Sequence, residues 1–149
     1  MSDDQFIQLA RPETSAEGYA GTVRLTFAQR EKARQRVQLT DGTQIAINLQ
    51  RGQIMRGGED LVSASGRRVR IEAATETVTT ATCADALHLA RIAYHLGNRH
   101  VSLQLGPGWV RYLQDRVLDE MVRGLGAVVE VHTAPFEPEA GAYGGHHHH

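Results

Sequence analysis

Sulfur, aromatic rings and long apolar runs are all scarce in this chain. Of its 149 residues one is a cysteine, Cys83. A single thiol cannot form a disulfide within the chain, and it cannot supply a thiolate-rich metal site. Aromatic residues make up 5% of the total, so the core must rest on Val, Leu, Ile and Ala. No stretch approaches the roughly 20 apolar residues that a membrane span needs. The first residues, Met1-Ser2-Asp3-Asp4-Gln5, are acidic and do not read as a secretory signal, which makes the cytoplasm the expected compartment. Formal net charge is −1, so no global field draws nucleic acid or an anionic membrane. There is no Ser-His-Asp pattern, no phosphate-binding glycine loop and no HExxH. The reading is therefore of a protein that is not an enzyme.

What is present divides in two. Residues 1–70 read as a β-rich domain. Arg36 to Thr40 alternates, Asp41-Gly42 offers a two-residue hairpin turn, and Ile45 to Leu49 alternates again. Glycines at 52, 57, 58 and 66 punctuate the rest, which suits a small β sandwich or partly open barrel. Phe27 to Arg36 is polar and charged, a short helical turn or a surface loop. Arg24, Arg30, Lys32, Arg34 and Arg36 cluster there, a solvated face or a docking face for an acidic partner.

Residues 71–143 read as a second domain. Val69 to Ala73 looks like a strand leading into it. Thr82 begins a capping pattern. A helix follows, with Ala86, Leu89, Ala90, Ala93, Tyr94 and Leu96 on its apolar face and His88, Arg91 and His95 opposite. Gly97 supplies its stop. Val101 to Leu105 reads as a strand, Gly106-Pro107-Gly108 as a turn, and Trp109 to Tyr112 as its continuation. A second helix buries Leu113, Val117, Leu118, Met121, Val122 and Leu125. It turns Asp115, Asp119 and Glu120 outward. Ala127 to His132 is a last strand. The order β-α-β-β-α-β is the split βαβ of ferredoxin-like domains, so the fold class is α+β. Residues 144–149 form a His-rich tail.

Neutral imidazole is the commonest protein metal ligand, and it suits nickel, copper and zinc. His88 and His95, seven apart on a helix, lie about 10 Å apart and cannot grip one ion together. His88 reads as solvated. His95 and His132 are weak candidates. His100, at a helix-to-strand junction, is the strong one. One imidazole cannot complete a divalent transition-metal site, so the other ligands must come from water, the tail or a second copy of the chain. A two-fold axis near His100 would supply a second His100. His146, His147, His148 and His149 form a natural metal-binding composition, although Gly144-Gly145 before them also resembles the joint of a purification tag. Cys83, without a paired base, reads as structural.

At Ala93-Tyr94-His95-Leu96-Gly97-Asn98-Arg99-His100 the chain resembles the UreE family of urease accessory proteins. Val117-Leu118-Asp119-Glu120-Met121 and Pro135 to Tyr143 are similar to further stretches of that family, and the His tract stands where many members carry one. The resemblance implies an N-terminal β domain like a chaperone's peptide-binding module and a ferredoxin-like metal-binding domain. It implies a homodimer that carries Ni(II) as cargo to urease while its metallocentre is assembled. Partners would be the urease apoprotein and its accessory proteins, including a GTPase. It implies His100 as principal ligand at the dimer interface, with the tail histidines adding capacity. Zn(II) and Cu(II) would bind as well. The rival reading is a non-catalytic protein- or peptide-binding module with an engineered His tail.

Overall fold

The computed structural model of the chain describes residues 4–14 and 18–141. It is mixed α+β, and it divides into two compact units, the first running to Ala74 and the second from Thr75 to Gly141.

The first unit is one six-stranded sheet. Its strands are β1 (Gln5–Ala10), β2 (Tyr19–Leu25), β3 (Arg34–Gln38), β4 (Gln44–Asn48), β5 (Asp60–Ser63) and β6 (Arg68–Ala73), in the order β2-β6-β5-β1-β4-β3. The sheet curls until its edges approach. Beyond β3, Thr40 donates its N–H to the Thr22 carbonyl of β2 at 2.8 Å. The curl encloses alternate residues of each strand, among them Phe6, Val23, Ile45, Ile47, Leu61 and Ile71. The hairpin between β3 and β4 forms as expected, but with a longer loop. Leu39 pairs with Thr43, and only Gly42 of the turn residues has a positive φ, at 91°. That is a type I turn closed by a left-handed glycine rather than a two-residue turn. The Asp41 side chain caps it by accepting from the Thr43 N–H at 2.9 Å.

Two expectations for this unit are corrected. Val69–Ala73 runs directly up to the second unit but is not its first strand. It lies within β6, paired with β2 and β5, because its apolar residues Val69 and Ile71 fill the first core. Arg30 is not part of the basic surface. It ends the one-turn helix α1 (Phe27–Arg30), is fully buried, and donates from Nε to the Leu25 carbonyl at 3.2 Å. A second buried charge, Asp60, is held by Arg70 Nε at 2.6 Å, by Arg68 at 3.1 Å and by the Tyr19 hydroxyl. Burial alone would raise this carboxyl, but those donors outweigh it and keep the pKa below the usual range.

The second unit follows the order β7 (Thr75–Thr82), α2 (Ala86–Gly97), β8 (Gln104–Gly106), β9 (Trp109–Leu113), α3 (Arg116–Gly124), β10 (Val128–Pro135). The sheet order is β10-β7-β9-β8, with every pair antiparallel, so this is the ferredoxin-like split βαβ. Its opening strand is the threonine-rich β7, not Val69–Ala73. Of the expected strand Val101–Leu105 only the end is paired, while β10 runs three residues past His132.

Both helices differ from the periodicity reading in detail. Asp85, not Thr82, caps α2, accepting from the His88 N–H at 2.8 Å. The buried line of α2 is Ile92 and Leu96 with Leu89 beside them. Ala86, Ala90 and Tyr94 lie exposed, because the face turns about Ile92 rather than about Ala90. In α3, Leu118 and Val122 are buried as expected, but Val117 is exposed, as is Leu113, which belongs to β9. Asp119 is the reverse case. Read as outward, it is buried, and its carboxylate accepts from Thr79 and Tyr112 at 2.7 Å each and from Gln114 at 3.1 Å.

A candidate metal centre at the exit of helix α2

Helix α2 ends at Gly97, as expected. After it the chain tightens by one further turn. Arg99 donates to the Leu96 carbonyl and His100 to the Gly97 carbonyl, both at 3.0 Å. The residue that takes the left-handed conformation is His100, with φ of 57°. Among the described residues it is the one non-glycine residue with a positive φ. Glycine is the usual occupant of such a position, because a Cβ there costs about 1–2 kcal/mol. The imidazole is exposed, carried on backbone fixed by two consecutive hydrogen-bonded turns.

The other histidines are scattered and do different things. His95 is exposed, its ring edge-on to Tyr94 with centroids 5.4 Å apart. His88, expected to be solvated, is a structural bridge. Its Nδ1 accepts from the Ala84 N–H and its Nε2 meets the Leu125 carbonyl, each at 2.8 Å. The start of α2 is thereby tied to the end of α3. The expectation failed because the partner carbonyl lies 37 residues away. His132 shares a hydrogen bond with Thr80 Oγ1 at 2.7 Å, and Arg111 Nε donates to the same oxygen at 2.8 Å. His132 thus belongs to a polar row on the sheet face opposite the helices. His146 to His149 lie outside the described residues.

No three His, Cys, Asp or Glu side chains converge on one point among the described residues. Within them His100 is a lone donor. Cys83 is buried, with its thiol pKa raised by that burial, which suits packing rather than thiolate chemistry. Around α2 the surface carries apolar side chains without cover in the single chain: Leu87 is 60% exposed and Tyr94 65%.

Comparison with known proteins matches both units. The family model for the N-terminal domain of UreE urease accessory protein covers residues 6–74, and that for its C-terminal domain covers residues 76–149. The chain is 52% identical over 139 residues to the urease accessory protein UreE of Pseudomonas putida strain W619, covering 93% of this chain and 86% of that protein. It is 53% identical over 124 residues to the protein of the same name from Alkalilimnicola ehrlichii, covering 83% and 76%. With that from Proteus mirabilis it shares 49% over 138 residues, covering 93% and 86%.

Proposed function

The chain belongs to the UreE family of urease accessory proteins, and from that premise we propose that it is a nickel carrier whose ligand is the His100 imidazole. It serves the maturation of urease and is not itself an enzyme. The observation that carries the reading is the backbone of His100. An exposed imidazole stands on a left-handed residue at a helix exit, where glycine would cost less. Strain held at one position, by a side chain able to ligate, is the mark of a functional constraint.

One imidazole does not close a nickel site, so the reading includes a second copy. Two chains related by a two-fold axis near the exit of α2 bring two His100 side chains to one ion. The exposed Leu87 and Tyr94 of α2 supply apolar area for such a contact. Bound through imidazoles and without thiolates, the ion is held reversibly, as delivery to the urease apoprotein and its accessory GTPase requires. Zinc and copper are accepted by the same donors, and copper would outrank nickel in intrinsic affinity, so choice of cargo comes from supply and geometry. His146 to His149 raise capacity. The compartment is the cytoplasm. No helix among the described residues is long and apolar enough to cross a membrane.

Calorimetric titration of nickel into the chain ending at Tyr143, and into the same chain with His100→Ala, tests the assignment. Tight binding in the first and its loss in the second are expected. Tight binding retained by the second, or none in the first, defeats it. Sedimentation decides the second-copy element, since a monomer with undiminished tight binding removes it.

A further inference from the structure

The sheet of the second unit has two edges, and the chain treats them differently. The β8 edge is three residues long, and the chain's own C-terminal stretch lies along its start. Glu139 donates its N–H to the carbonyl of Leu103, just before β8, at 2.8 Å, and Glu137 donates to Gln104 Oε1 at 3.0 Å. The β10 edge is eight residues long and runs in unbroken register with β7. Among the described residues nothing pairs with its other side. It carries none of the usual guards of a bare edge: no lysine, no bulge, and no proline before its last residue. Val128 is 72% exposed and Val131 48%.

The hydrogen-bond phase of β7 shows which groups of β10 point away. Cys83 N–H bonds the Gly108 carbonyl and Gln114 N–H the Thr77 carbonyl, so odd-numbered residues of β7 exchange bonds with β9. Even-numbered ones exchange with β10, where they oppose Val128, Glu130, His132 and Ala134. Val129, Val131 and Thr133 therefore turn their N–H and C=O outward.

A strand added here must match these outward residues with outward residues of its own. In a second copy running antiparallel, the register centred on Val131 sets Val131 against Val131, Val129 against Thr133, Val128 against Ala134 and Glu130 against His132. The neighbouring in-phase registers set Glu130 against Glu130 or His132 against His132, and like groups directly opposite are unfavourable. Glu130 and His132 fall at the non-hydrogen-bonded positions of the new pair, where side chains lie closest. Glu130 is exposed and has no side-chain partner among the described residues. His132 uses Nε2 on Thr80 Oγ1. Arg111 already donates to that oxygen, so the Thr80 hydroxyl can donate to Nε2 and leave Nδ1–H for a carboxylate.

We propose that β10 pairs edge to edge with β10 of a second copy, antiparallel and centred on Val131, joining the two sheets into one. The contact is isologous, so Glu130 meets His132 on both sides of the axis. It uses neither α2 nor His100 and is independent of the nickel reading.

The test follows amide exchange by NMR in the full chain with a chelator present, at about 1 mM because a one-strand contact is small. Val129, Val131 and Thr133 are expected to exchange at least about tenfold more slowly than in Glu130→Lys, which sets lysine against histidine. His132→Glu, which sets carboxylate against carboxylate, should lose the protection too. An equimolar mixture of the two variants should regain it, because both oppositions are then between unlike groups. Free exchange of the three amides in the unaltered chain overturns the proposal and leaves the edge to a different protein. Protection that survives Glu130→Lys overturns it as well, since another register or a cover within the chain would then be its source. A mixture that stays unprotected does the same. Should His132→Glu not fold, the unaltered chain and Glu130→Lys still decide the matter.

Discussion

The Tyr112 hydroxyl donates to Asp119 Oδ1 at 2.7 Å, joining the middle of β9 to the buried side of α3. Thr79 reaches the same oxygen from β7, and Gln114 reaches Oδ2. A carboxylate under a helix thus draws three elements together. Burial raises the Tyr112 pKa well above its ordinary value near 10, and the Asp119 charge beside it adds to that. For Asp119 burial pushes upward, but the bonds from Thr79, Tyr112 and Gln114 prevail and lower its pKa from the ordinary 3.8.

Stability of the second unit should therefore fall off at both ends of the pH scale. The raised Tyr112 pKa contributes stability that is complete below pH 10.0 and is lost as pH rises beyond it, because the unfolded phenol ionises first. The lowered Asp119 pKa contributes stability present above pH 3.8 and lost as pH falls through the folded value. Tyr112→Phe is expected to cost about 1 kcal/mol at neutral pH and to make the alkaline decline shallower, with the part due to the buried Cys83 thiol remaining. Urea melts followed between neutral pH and pH 11 would check this; an unchanged alkaline limb in the variant would refute it.

His100→Gly should make the protein more stable and less useful. Glycine accepts a φ of 57° without the Cβ penalty, so the variant is expected to gain about 1 kcal/mol. In the chain ending at Tyr143, tight nickel binding should disappear with the imidazole. Thermal melting in the presence of a chelator, set beside a nickel titration, reads both. A less stable variant would show that the side chain supports the turn by contacts of its own.

His88→Ala should do the opposite. It removes the bonds to Ala84 N–H and the Leu125 carbonyl, with an expected cost of about 1–2 kcal/mol. Nickel affinity should stay as it was. Denaturant melts and calorimetry on the same sample would separate the two effects, and a loss of nickel binding in a well-folded variant would contradict the division of roles among the histidines.

Gly106→Ala should disturb the only tryptophan of the chain. A Cβ at Gly106 would lie 2.1 Å from the Trp109 ring, far inside contact distance. The ring would have to leave its place, where Arg111 stacks 4.5 Å from its centroid. Intrinsic fluorescence should shift, and stability should fall by about 1–3 kcal/mol. An unaltered emission spectrum would mean that the ring has another seat at no cost.

Much of this fold was legible in the chain, and what was not has physical causes. The Asp41-Gly42 hairpin, the alternating Ile45 to Leu49 and the two amphipathic helices carry local signals that tertiary packing did not override. Strand β7 carries none. Five of its eight residues are threonine, so no apolar alternation marks it, and its place in the sheet comes from partners on β9 and β10. Asp119 was misread because helical periodicity sorts by polarity, whereas its donors Thr79 and Tyr112 come from other elements. At the candidate site, the helix exit near His100 could be read from Gly97 and the strand-like run after it. The left-handed turn at the histidine itself could not, since Gly97 is the residue that ordinary chain statistics would choose for it.

The threonines of β7 have a consequence for how this unit comes apart. Thr79 and Thr80 are neighbours in the chain and point to opposite sides of the sheet, one bonded to Asp119 and the other to His132 and Arg111. The two surfaces of the layer are thereby yoked through a single peptide plane, and neither is expected to loosen while the other stays intact.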